Sequence, residues 1–158
     1  MSCDAAAAVF LFLASAGPSG PAPTPVAAVA SASPVAGEPL FVDIVGRAAR
    51  LKARVQAYRT PELKSAAAPA ALAGLDQFQA DVGDLAALDM KGHLELAKSG
   101  ADGDLKCILK GISQDLPLKL HDLMQAPTGA AQDSALRDLA YLLNDNVEVI
   151  TAPPAPPV

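Results

Sequence analysis

Few residues in this chain carry the types and spacing that chemistry needs, and the two histidines come first. His93 follows Asp89 by four residues, a step that puts both on one helical face and gives a two-ligand spacing for a metal. The nearest further ligands, Glu95 and Cys107, share no clear face with them. The plainer reading of Asp89 and His93 is therefore a polar pair at the rim of a core, with no metal. His121 does not complete a site. In an antiparallel hairpin turning near residue 101, His93 and His121 are offset by ~12 residues, or ~18 Å along the axis at ~1.5 Å per residue. One metal or one haem cannot take both.

Other catalytic or cofactor signals are similarly thin. Met90 and Met124 offer sulfur for an axial haem ligand, but neither matches a histidine in height, and no C-x-x-C-H occurs. G-x-S-x-G, the P-loop and G-x-G-x-x-G are all missing from the sequence. The stretch ADGDL at 101–105 has two aspartates without the rest of a calcium loop, and helix capping accounts for it. Cys3 and Cys107 are the only cysteines, so removal of a leader would leave Cys107 alone and without an internal disulfide. These observations predict a non-enzyme without a cofactor.

Charge narrows the partners. The net charge of −5 argues against nucleic acid, which needs a basic face. Cations mass only at Arg47, Arg50, Lys52 and Arg54, where they alternate with Leu51 and Val55. That pattern reads as the wet side of an amphipathic helix. The sharper alternative is a docking patch in which Arg47, Arg50 and Arg54 hold a protein partner.

The elements that must position these residues follow from the punctuation of the chain. Ala5 to Ala16 is apolar or small, too short for the ~20 residues that span a bilayer and the right length for the core of an export signal. Ala14-Ser15-Ala16 and Ala30-Ser31-Ala32 predict cleavage after Ala16 or Ala32, although Asp4 stands where a basic residue is expected. Gly17 to Pro34 holds five prolines and no charge, the composition of a disordered leader. APPAPPV at 152–158 is its counterpart at the other end. The expected organisation is a signal-like segment and leader over 1–36, a bundle over 37–151 and a proline-rich tail over 152–158.

Within the bundle the first helix begins at Pro39 and carries Leu40, Ile44, Ala48, Leu51, Val55 and Tyr58 on one face. Thr60-Pro61-Glu62 is a fresh helix start, and Pro69 predicts a break or kink. Leu72, Leu75, Phe78, Val82, Leu85, Leu88 and Leu96 keep helical spacing as far as the stop at Ser99-Gly100. Asp102 or Asp104 caps a third long helix with the stripe Leu105, Ile108, Ile112, Leu116, Leu120 and Leu123, kinked by Pro117. After Pro127-Thr128-Gly129, a fourth stripe runs through Leu136, Leu139, Leu143, Val147 and Ile150. The poor helix formers Asn144, Asp145 and Asn146 leave a short strand at 147–151 as the weaker alternative. An all-α, up-down antiparallel four-helix bundle with disordered proline-rich ends is the expected fold.

The order of parts, an apolar segment ending in A-x-A, a proline-rich leader and a four-helix bundle, resembles the PsbQ-type extrinsic subunits of photosystem II. DLKCILKGISQDLP and SALRDLAYLLNDNVEVI are loosely similar to that family's helical segments. The resemblance covers residues 5–150, and the acidic balance differs from the basic plant members. It implies a peripheral, non-catalytic protein in the thylakoid lumen or periplasm that binds and stabilises a larger membrane-associated complex. Two other expectations stand beside it: a soluble b-type cytochrome-like bundle carrying haem or metal, and a cytosolic interaction protein.

Overall fold

Prolines and hydroxyl caps set the helix starts. The computed structural model describes residues 33–100 and 103–152. In it α1 spans Pro39–Tyr58, with the proline in the first turn, where its missing N–H leaves no bond unmade. The short α2, Pro61–Ser65, is capped by the Thr60 hydroxyl, which accepts from the Leu63 amide. Helices α3, Leu75–Ser99, α4, Gly103–Met124, and α5, Gly129–Thr151, complete an all-helical set, with no strand among the described residues. Thr128 caps α5 by accepting from the Ala131 amide.

The two interior prolines stand in different settings. After α2 the chain leaves the helix at Ala66 and re-enters only at Leu75, so Leu72 lies in a connecting segment rather than on a helical face. Gly74 makes that re-entry with φ of 65°, a left-handed conformation that side chains other than glycine rarely adopt. Pro117, by contrast, does not interrupt α4, which is continuous from Gly103 to Met124. Asn144 to Asn146 also remain helical. Burial of Leu143 and Ile150 outweighs a propensity cost of only a few tenths of a kcal/mol per residue.

The four long helices pack in a closed order: α1 against α3 and α5, and α4 against the same two, with α2 on α5. Their cross-contacts run in opposite directions. Lys52 meets Asn144 and Arg59 meets Asp133, while His93 meets Lys106 and Gln79 meets Met124. The core contains Ile44, Ala48, Leu51 and Val55 of the expected first stripe, with Phe41 buried in preference to Leu40. In α4 the buried series is Leu105, Leu109, Ile112, Leu116 and Leu123. Ile108, expected in that stripe, is 37% exposed, because the four-residue step from Leu105 reaches Leu109 instead.

The packed chain starts ahead of the boundary expected at residue 37. Ser33 donates its amide to the Ile150 carbonyl at 3.2 Å, and Val35 is buried beside it. The leader up to residue 32 with both A-x-A sites, Asp102, and the tail from 153 lie outside the described residues. No helix among the described residues is long and apolar enough to cross a membrane.

Candidate functional site

The buried face of α3 steps through Phe78, Val82 and Leu85, and the same three- and four-residue steps land next on Asp89, Gly92 and Leu96. On α5 the steps from Leu136, Leu139 and Leu143 land on Asn146 and Ile150. Two core positions are thus polar. Asp89 and Asn146 are both 0% exposed, and the Asn146 amide nitrogen donates to Asp89 Oδ2 at 2.8 Å. Helices α3 and α5 are not packed neighbours in the closed order, so this bond crosses the middle of the core between opposed helices. The layer is tight. A Cβ at Gly92 would touch Leu109 of α4 and Ile44 and Phe41 of α1.

Burial raises the Asp89 carboxyl from 3.8 to about 8, against the bond from Asn146, which favours the charged form. One bond does not satisfy the pair. Asp89 Oδ1 and Asn146 Oδ1 are both buried and both lack a hydrogen-bond partner.

His93 does not share this site. Its Nδ1 donates to the Lys106 carbonyl at 2.7 Å, tying α3 to α4, while Asp89 faces Asn146. The Asp89 and His93 expected as a rim pair are therefore separated, with the aspartate in the centre of the core. No three His, Cys, Asp or Glu side chains among the described residues gather as a metal site would require. His121 is exposed. Cys107 is half-buried and is not a free thiol, and the described residues include no second cysteine.

Arg47, Arg50 and Arg54 do come together, around a surface hollow of about 210 Å³ that Leu51 and Asp81 also line. Their roles differ. Arg54 Nε donates to the Tyr58 hydroxyl at 2.8 Å, a second nitrogen donates to the Gly74 carbonyl at 2.6 Å, and its plane lies over Phe78. Tyr58 in turn donates to the Ala73 carbonyl at 2.7 Å, so this pair fastens the entry to α3. Arg47 binds Asp43 at 3.0 Å and stands 4.0 Å from Asp84, while Arg54 stands 3.5 Å from Asp81. Three carboxylates thus offset two guanidiniums, those of Arg47 and Arg54, and Arg50 is the exposed member. Lys52, the fourth cation of the run, turns to Asn144 of α5.

A second polar feature escaped the apolar-stripe reading. Gln132, buried on α5, accepts from the Ala70 amide at 2.8 Å and donates to the Ala70 carbonyl at 3.0 Å. Beside it Gly129 donates to the Ala66 carbonyl, and a Cβ there would overlap the Leu63 carbonyl oxygen. The segment between α2 and α3 is strapped to the start of α5 by these contacts.

Comparison with known proteins finds no matching family model, no matching curated protein and no matching solved structure.

Proposed function

We propose that this chain is a non-catalytic accessory protein that binds and stabilises a larger membrane-associated complex from the lumenal or periplasmic side. In this reading the four long helices are an up-down antiparallel bundle flanked by flexible proline-rich ends, and the apolar segment before Ala16 directs export. The resemblance in order of parts to PsbQ-type extrinsic subunits supports the assignment to a peripheral subunit. The observation that carries it is the hollow between α1 and α3, where Arg47 and Arg50 stand at the surface beside Asp81.

Contacts made there are charged and partly screened, so association is moderate in strength and sensitive to salt. Arg54 is left out of the docking set, because its bonds to Tyr58 and Gly74 hold the fold. The test is a salt wash of native membranes followed by rebinding. Release by ~1 M salt, where the screening length is ~3 Å, is expected. Arg47→Glu combined with Arg50→Glu is expected to weaken rebinding while leaving the helical content unchanged. Retention through that wash, or unaltered rebinding by the double variant, would overturn the reading.

A further inference from the structure

The buried polar centre offers more than a register pin. Asp89 and Asn146 are fully enclosed, already joined by one hydrogen bond, and each keeps one unpartnered oxygen. Two acceptor oxygens cannot satisfy each other. A proton between them can. We propose that Asp89 is carried in the core as a neutral acid whose Oδ1–H donates to Asn146 Oδ1, closing a two-bond acid–amide ring, and that loss of this proton loosens the α3–α5 connection.

The physical case rests on what each protonation state would leave behind. With the proton present, both orphan oxygens are used, and the central layer holds no net charge. With it absent, a carboxylate sits fully enclosed in the core, one turn from the tightly packed Gly92, with a single amide for a partner. Burial moves the Asp89 carboxyl in the same direction, opposed only in part by the bond from Asn146. Among the described residues no cation of the packed helices, Lys106 and Lys110 of α4 included, pairs with Asp89, and several charged groups are engaged elsewhere or of the wrong sign. On α3 His93 is tied to the Lys106 carbonyl of α4. On α5 Asp145 and Glu148 flank Asn146, and Asp145 is itself raised by burial and by Glu148. On α1 Arg47 is held by Asp43, and Lys52 by Asn144.

The sign follows from linkage. A carboxyl whose folded value is raised binds its proton more tightly in the folded state, so its contribution is full below the unfolded value near 3.8 and is lost as pH rises through about 8. Asp89→Asn mimics the protonated acid, since its amide can donate to Asn146 Oδ1 without titrating. Chemical denaturation of the full chain and of Asp89→Asn from about pH 5.5 to about 9.5 tests this. The ratio of wild-type to variant folding constants is expected to fall about tenfold per pH unit until about pH 8 and then level off. Parallel profiles across the whole range would overturn the proposal. Carbon-13 NMR of the Asp89 carboxyl in the wild type gives a readout that does not depend on the variant folding. A transition near pH 8 supports the buried acid, and one near the ordinary aspartate value overturns it.

Discussion

Gln132 and Asn146 are both buried carboxamides on α5, and each reaches across to another segment of the chain. Gln132 meets a backbone, whose N–H and carbonyl satisfy both ends of its amide. Asn146 meets a side chain that can answer only one end while it is charged. The two differ in what faces them and not in their own chemistry. A carboxamide that meets a peptide group is a permanent fastener, because the peptide does not titrate. One that meets a carboxyl makes its surroundings depend on a proton.

The largest expected effect separates the two sites directly. Asn146→Leu leaves Asp89 without its bond in a closed core. At about pH 9, where the wild-type aspartate is charged, it should cost about 1.4 kcal/mol more than near pH 6, the worth of the one pH unit by which the medium then exceeds the folded value. Near pH 6, where the acid is neutral, the cost falls to ~1–3 kcal/mol. Gln132→Leu should show no such pH dependence. Denaturant midpoints of both variants at the two pH values check the contrast, and equal losses for Asn146→Leu at both would erase it.

An apolar reference sets the scale for both. Ile112, 4% exposed in the middle of α4, should lose ~2–4 kcal/mol on replacement by alanine. Gln132→Leu removes two bonds to the exposed Ala70, whose amide and carbonyl water can then reach, at a cost of ~0.5–1.5 kcal/mol. Its consequence is local: the chain between α2 and α3 should become the first site of limited proteolysis, with α3 to α5 still protected. Cleavage appearing first elsewhere would mean that Arg54 and Tyr58 hold that segment without help from Gln132.

How far these sites were legible in the sequence depends on which residues were followed. Helix starts at Pro39, Thr60-Pro61 and Thr128-Gly129 were readable, because capping and proline chemistry are local. The stripes of α1 and α5 were readable for the same reason, since apolar periodicity survives any tertiary arrangement. What was lost were the polar occupants of core positions. Reading only apolar residues jumps from Leu88 to Leu96 and from Leu143 to Val147, passing over Asp89, Gly92 and Asn146. Continuing the three- and four-residue steps without regard to polarity would have placed all three inside. Their pairing was not available, because it joins helices opposed across the core and no local pattern encodes that. The Arg54 fastening was hidden for a different reason. It depends on a segment that abandons the helix after Ala66, a course set by tertiary contacts with α5.

The smallest effect sharpens the comparison from the acid side. Arg59, at the end of α1, donates to Asp133 of α5, the residue next to Gln132, at 2.9 Å and 3.3 Å. That hydrogen bond, aided by the charges of Arg59, Lys64 and Arg137, holds the Asp133 carboxyl below its ordinary value, against the desolvation that raises it. The sign is therefore opposite to that of Asp89. The stabilisation is present above the unfolded value and is lost as pH falls through the lowered folded one. A partly exposed ion pair of this kind contributes ~0.2–1 kcal/mol, so Asp133→Asn should lower stability by about that much at neutral pH. The variant should also flatten the acid limb of the stability profile while leaving the limb between about pH 6 and about pH 8 unchanged. If Asp133→Asn altered the upper limb as well, the two carboxyls would be coupled through α5, and the separation of its two buried carboxamides into a fixed fastener and a titrating one would fail.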